Sequence, residues 1–175
     1  MHRIAIATFA ALALGTAAVA ADTKPTDPQI AHIAYTAGLI DVDAGKQALD
    51  KSKNEAVRAF AQQMVGDHTA VNDQALALVK KLNVTPEDNA TSKSLKSGGA
   101  DNVKNLEKLS GAAFDKAYVD HEVAYHQQVL DAIDKTLIPS AQNAELKNLL
   151  VSVRPAFVAH LDHAKHLQST LAGKS

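Results

Sequence analysis

The sequence contains no cysteine and no tryptophan, and aromatic residues make up only 4% of its 175 positions. Without cysteine the chain can form neither a disulfide nor a lipid attachment, so the packing of its core must stabilise the fold. No run of lysine or arginine occurs and the formal net charge is −1, so we expect no nucleic-acid partner. Glycine and proline are few, while alanine and leucine are abundant, which favours helices over sheets.

The first twenty residues have the features of a secretory signal peptide. His2 and Arg3 precede an apolar run over 4–14, and Ala18-Val19-Ala20 offers the small residues of a cleavage site. The apolar run is too short for a membrane anchor, which is the alternative. We expect cleavage after Ala20, a polar leader over 21–27, and a soluble mature chain in the periplasm or outside the cell. No transmembrane segment is expected after removal of the signal.

The rest of the chain carries apolar residues at alternating spacings of three and four, which is typical of amphipathic helices. The spacing predicts helices over about 28–52, 54–83, 112–137 and 140–171. Pro139 is predicted to end the third helix. The linker over 84–111 contains Gly98-Gly99 and is predicted to hold a short helix near 101–109. Two helical pairs joined by a long connection indicate an all-α, ferritin-like antiparallel four-helix bundle, as a single domain over 28–175.

Several polar residues fall on the predicted apolar faces. At about 100° per residue, His68, His126 and His160 lie near the centres of their faces. An unpaired buried imidazole or carboxylate costs several kcal/mol, so inward residues need a partner. Neutral imidazole and carboxylate together suit zinc, iron, manganese or copper. The candidate metal ligands are Asp67, His68, Asp115, Glu122, His126 and His160. The outward histidines, expected to be solvated, are His32, His121 and His166.

Two hypotheses for the inward residues stay open. In the first, the protein binds a transition metal for storage, transfer or stress protection. In the second, it is a non-enzymatic structural or interaction protein of the cell envelope, in which the same residues, with Asp41 and Tyr118, form a buried hydrogen-bond network. A protein partner from the envelope would then contact the outer faces or the segment over 86–111. The oligomeric state is left open.

An enzyme is the least supported class, and no catalytic residue is assigned. Ferritin-like di-iron sites use Glu-x-x-His on two helices, and this pattern does not occur in the sequence. Neither a nucleophile elbow nor a nucleotide-binding motif is present. If the turn near Pro139 is tight, His160 lies level with Tyr118 and about 12 Å along the bundle from His126.

Three segments resemble the bacterial domain-of-unknown-function 4142 family: 60–69 with Met-Val-Gly-Asp-His-Thr, 111–118 with Phe-Asp-Lys-Ala-Tyr, and Arg154-Pro155 to His160-Leu161. The resemblance covers nearly the whole mature chain. It implies an exported ferritin-like protein with no established reaction, and an outer-membrane label that does not suit a chain without a spanning element. The polar positions that it implies are Asp67, His68, Asp115, Tyr118, His126 and His160. The family's acidic position on helix one, usually glutamate, is Asp41 here.

Overall fold

The computed structural model describes residues 24–173, and all the regular structure in this range is helical. The predicted all-α class is therefore confirmed, while the predicted signal peptide over 1–20 lies outside the described residues. Within 24–173 no helix has the length and apolar character needed to cross a membrane. The α-helices are α1 Asp27–Lys51, α2 Glu55–Lys81, α3 Ala90–Glu107, α4 Gly111–Ala132, α5 Ile138–Ser140 and α6 Ala144–Ala172, with a π-helical turn over Ile133–Leu137.

Side chains cap the starts of two long helices. The first backbone N–H groups of a helix have no partner within the helix, so a side-chain oxygen accepts their hydrogen bonds. The Asn54 side chain accepts hydrogen bonds from the amides of Ala56 and Val57 at the start of α2. Asn143 does the same at the start of α6. The carboxylate of Asp27 accepts from the backbone amides of Gln142 and Asn143 at 2.9 and 2.8 Å. The start of α1 is thereby tied to the turn that precedes α6.

The core has two apolar parts, and a polar layer separates them. One part contains Ile30 of α1, Ile133 and Leu150, together with neighbouring apolar residues. The other is built around Phe60 and Tyr118. Buried polar side chains lie where these parts meet, and we call them the polar layer: Asp41 of α1, His68 of α2, Glu122 and His126 of α4, and His160 of α6. Each of these four helices thus contributes polar side chains to one level of the bundle.

The linker between α2 and α4 differs from the prediction, because it holds an 18-residue helix, α3, and not a short one near 101–109. Helix α3 packs along α1, where a Cβ on Gly99 would lie 2.9 Å from Cγ1 of Ile40. The glycine therefore permits a close helix–helix approach inside the segment that is predicted to be a linker. The side chain of Asn89 forms a capping box with Ser92 and starts the helix earlier than expected.

The prediction that Pro139 ends the third helix is also wrong. The amide of Ile138 donates to the carbonyl of Ile133, five residues back, and the chain stays helical through Pro139 to Ser140. The π-helical turn changes the hydrogen-bonding pattern just where proline cannot donate. The reversal of the chain comes later, before Ala144. As a result His160 lies beside His126, with ring centroids 5.5 Å apart, and not at the level of Tyr118.

Candidate metal centre

Three histidines from three helices meet in the polar layer. His68 of α2, His126 of α4 and His160 of α6, which we call the histidine cluster, are only 0%, 0% and 2% exposed. The ring centroids of His68 lie 5.5 Å from His126 and 5.3 Å from His160. The inward placement predicted by the helical spacing of these residues is therefore confirmed.

The nitrogen atoms of the histidine cluster are close enough for a common ion. One ring nitrogen from each histidine lies within 4.8 Å of the other two. Nitrogen ligands sit about 2.0–2.1 Å from zinc, so ligand atoms on one ion are at most about 4 Å apart. Shifts of about 1 Å or less would bring the three nitrogens to bonding distance.

Hydrogen bonds fix which nitrogen of His126 is free. Its Nδ1 lies 3.0 Å from the backbone oxygen of Glu122, and a carbonyl oxygen can only accept. Nδ1 therefore carries the proton, and Nε2 keeps its lone pair. Nε2 is buried and has no hydrogen-bond partner among the described residues. This atom is available to a metal ion.

His160 shows the same division between its ring nitrogens, whereas His68 does not. His160 Nε2 lies 2.9 Å from Oδ2 of Asp67, which leaves its Nδ1 without a partner within residues 24–173. His68 Nε2 lies 3.4 Å from Oδ2 of Asp41, but neither of its ring nitrogens has a hydrogen-bond partner there. Metal-binding histidines commonly direct one nitrogen to a carboxylate or carbonyl and the other to the ion. His126 and His160 follow this arrangement.

The buried imidazoles of His68 and His126 are neutral at pH 7. Burial, followed by the proximity of His126 and His160, lowers the pKa of His68 to about 3. Burial also lowers the pKa of His126 to about 4, against the opposing effect of the backbone hydrogen bond to Glu122. Metal ions bind the neutral form of imidazole. The site therefore has no proton to displace from these two rings at neutral pH.

Two buried carboxylates adjoin the histidine cluster. Asp41 of α1 and Glu122 of α4 are 1% and 0% exposed, and with His126 they form a second group whose ligand atoms lie within 4.8 Å of one another. The two carboxyl groups are close enough to share a hydrogen bond when one of them is protonated, and none of their four oxygens has another hydrogen-bond partner in the described part of the chain. Burial raises the pKa of both groups, and the nearby Glu122 raises that of Asp41 further. The pair consequently holds a proton at neutral pH unless a cation replaces it.

The structure separates the six predicted ligands into three sets. His68, His126, His160 and Glu122 come together in the polar layer. Asp67 is 49% exposed and lies behind His160, so it orients that ring. Asp115 belongs to neither group of ligand atoms; it accepts a hydrogen bond from Ser52 Oγ at 2.6 Å and ties α4 to the end of α1.

The two residues predicted as structural polar groups are both buried. Asp41 lies inside the site, and its position between the buried Ala37 and Ala44 is the sequence signal for this inward orientation. Tyr118 is fully buried, and its hydroxyl has no hydrogen-bond partner within residues 24–173. Burial, then the charges of Glu122 and Asp41, raise the pKa of Tyr118, which lies next to the carboxylate pair.

The prediction that His32, His121 and His166 are solvated holds for His166, which is exposed. It is wrong for His32 and His121, whose side chains are 18% and 23% exposed. His121 stacks on Tyr125 with ring centroids 5.5 Å apart, and burial lowers its pKa. The helical spacing of α4 alone does not predict the partial burial of His121, because neighbouring helices cover more than one side of α4.

Comparison with known proteins gives one match. The model of the family described as "Domain of unknown function (DUF4142)" matches residues 13–167. Among curated proteins and among solved structures, none matches the chain significantly. The match agrees with the resemblance seen in the sequence and carries no assigned reaction.

Proposed function

The chain belongs to the family described as a domain of unknown function (DUF4142), and we propose that it binds one divalent transition-metal ion in its polar layer. The ligands are ring nitrogens of His68, His126 and His160, with Glu122 or Asp41 completing the coordination. Three imidazoles with an adjacent carboxylate suit zinc, copper, iron or manganese, and the excess of nitrogen favours zinc or copper.

One observation carries the proposal: three buried imidazoles each place one ring nitrogen within 4.8 Å of the other two, and each has at least one nitrogen without a hydrogen-bond partner within residues 24–173. A buried polar atom without a partner costs about 1–3 kcal/mol. In a purely structural network these nitrogens would remain unpaired, and a proton shared between Asp41 and Glu122 would satisfy only one oxygen of each. A bound cation satisfies nitrogens and oxygens together, which supports metal binding over the network.

Titration of the metal-free protein tests the proposal. We expect Zn²⁺ or Cu²⁺ to bind one equivalent with a dissociation constant of about 1 μM or tighter. A hundredfold excess over that constant should stabilise the fold by about 2.7 kcal/mol and raise Tm. The His126→Ala variant should lose affinity at least about 100-fold, since it lacks a ligand. The exposed histidine in His166→Ala serves as the matched control and should leave affinity unchanged.

If the polar layer is only a buried hydrogen-bond network, the protein should not bind these metal ions. If none of the four metals binds more tightly than about 100 μM or raises Tm, the metal hypothesis is refuted. His126→Gln provides a second variant in case His126→Ala does not fold, and circular dichroism of the metal-free variants checks the fold. In that case the polar layer serves a non-enzymatic structural or interaction protein of the envelope.

We further infer that the protein is exported and that its helices form a ferritin-like bundle. The apolar run over 4–14 and Ala18-Val19-Ala20 support export. The meeting of side chains from α1, α2, α4 and α6 at one level supports the bundle. Such a protein would store, transfer or sequester metal in the periplasm, including under stress. Expression in a bacterial host followed by N-terminal sequencing should give a chain that begins at Ala21; a chain retained with residues 1–20 would refute export.

A further inference from the structure

An apolar cavity of about 100 Å³ lies beside the histidine cluster. Its wall comes mainly from α1, α2, α4 and α6 and includes Ala34, Ala75, Val129 and Leu150. The ring of Phe157 belongs to this wall and also packs edge-on against His68, with centroids 5.0 Å apart. Phe157 therefore separates the cavity from the proposed metal ligands.

The size and lining of the cavity define the ligand it can hold. Protein interiors seldom contain voids larger than a water molecule, and an apolar cavity of roughly 150 Å³ binds benzene but stays free of water. A cavity of about 100 Å³ fits a somewhat smaller molecule, of about five or six non-hydrogen atoms. The exposed residues Thr91 and Gln128 contribute to its lining, so the cavity reaches the surface.

One buried polar side chain borders this apolar space. Asn72 of α2 is 5% exposed, and its Oδ1 has no hydrogen-bond partner within residues 24–173. On the facing helix stands Gly38, where a Cβ would lie 2.3 Å from this oxygen, so the glycine leaves room for the amide. Leaving a buried acceptor unpaired is unfavourable. A ligand with one hydrogen-bond donor would satisfy it.

We propose that this cavity binds a small, uncharged, largely apolar molecule that carries a single hydrogen-bond donor, and that Asn72 Oδ1 accepts from that donor. The class includes five-membered aromatic rings with one N–H and short branched alcohols. The site is distinct from the metal centre and needs no ion, because no histidine or carboxylate of the polar layer contributes to its wall.

Methyl chemical shifts of the metal-free protein test the proposal with pyrrole, which has a ring N–H, and furan, which has the same ring without a donor. Pyrrole should shift the methyl signals of Val129 and Leu150 saturably, with a dissociation constant of about 10 mM or tighter. It should leave Val57, in the other apolar part of the core, unmoved. Furan should bind at least about threefold more weakly, since a neutral hydrogen bond contributes about 1 kcal/mol.

Variants of α2 locate the site. Ala75→Phe fills the cavity and should weaken pyrrole binding at least about tenfold, because the added ring occupies the same space. Ala77→Phe places the same ring on the exposed side of the helix and should bind as the parent does. Asn72→Leu should make pyrrole and furan bind equally. Ala75→Leu replaces Ala75→Phe if the latter does not fold.

Either of two results would overturn the proposal: no saturable shift with pyrrole, or pyrrole binding that persists unchanged in folded Ala75→Phe and Ala75→Leu. Equal binding of pyrrole and furan to the parent protein would refute the role of Asn72. All measurements are made without metal, so these outcomes are independent of whether the histidine cluster binds an ion.

Discussion

His126 and His160 each have one hydrogen-bonded ring nitrogen and one that is unpaired within residues 24–173, and a group outside the cluster decides which is which. For His160 that group is Asp67, a partly exposed carboxylate whose Oδ2 lies 2.9 Å from Nε2. The hydrogen bond keeps the proton on Nε2 and turns Nδ1 inward. Asp67 is thus a positioning residue. The neighbouring residues Asp67 and His68 of α2 have different roles, because His68 is a proposed ligand and Asp67 orients another proposed ligand, His160.

Replacing Asp67 by alanine should therefore weaken metal binding without harming the fold. Loss of such an outer hydrogen bond typically costs 10- to 100-fold in affinity, and the exposure of this carboxylate sets the expectation at about tenfold. The unfolding free energy of the metal-free protein should fall by only about 1 kcal/mol, because the buried Nε2 of His160 loses its partner. Competition titration with a chromophoric chelator measures the affinity. Asp73→Ala, an exposed carboxylate on the same helix, is the matched control; equal affinities for both variants would contradict the role of Asp67.

Helical periodicity explains which ligands were predictable from the sequence. It correctly pointed His68, His126 and His160 inward, because the direction of a side chain around a helix depends only on its spacing. Helical periodicity does not predict whether residues on neighbouring helices lie at the same level along the bundle axis. Asp115 shares the face of His126 but stands eleven residues earlier, about 16 Å along the axis, and so cannot reach the site. Glu122 is one turn away and does reach it.

At the scale of helices, the axial register of neighbouring helices could not be predicted from the sequence. The π-helical turn over Ile133–Leu137 carries the chain past Pro139, and this brings His160 level with His126. A proline after an apolar stripe normally predicts a helix end, and no residue pattern announced the exception. Similarly, Gly98-Gly99 suggested a loop, although Gly99 lies at a close contact between α3 and α1. The all-α class was predictable because it needs only the periodicity.

Helices α1 and α2 also approach each other closely at a glycine, Gly45. A Cβ on Gly45 would lie 2.8 Å from Cγ2 of Val65 and 3.1 Å from the backbone oxygen of Ala61, so Gly45→Ala must push the helices apart. We expect a loss of about 1–3 kcal/mol in unfolding free energy. Gly66→Ala is the matched control, because nothing lies within 4 Å of its added Cβ. Alanine in an exposed helix should there stabilise by about 0.5–1 kcal/mol.

Denaturant unfolding of the two glycine variants measures both effects in the same helical pair. A Gly45→Ala protein as stable as the parent would show that α1 and α2 are not held at this distance by packing. Because Asp41 lies one turn before Gly45 on α1, the displaced helix should also move this carboxylate away from His68. Metal affinity should therefore fall in Gly45→Ala and stay constant in Gly66→Ala.

For the molecule as a whole, the polar layer makes stability depend on pH in two opposed ways. Between about pH 3 and 6.5 the unfolded chain binds protons at His68 and His126 that the native protein does not, since their native pKa values are about 3 and 4 against 6.5. Stability therefore rises with pH in this range. Glu122 has the reverse effect: its pKa is raised from 4.5 to about 8, so the native protein binds the extra proton and stability falls over that range.

These opposed contributions predict that the metal-free protein is most stable in mildly acidic solution and loses stability between pH 6.5 and 8. At about 1.4 kcal/mol per pH unit for one proton, the loss from Glu122 alone is roughly 2 kcal/mol. Glu122→Gln should remove most of this decline, because the amide does not titrate, whereas Glu87→Gln, an exposed position, should leave it unchanged.

Saturating zinc should reverse the decline, since the ion binds the deprotonated carboxylate. Urea unfolding at pH 6 and pH 8 measures the difference. Equal stability at both pH values in the metal-free parent would show that the two carboxylates are not held together away from water.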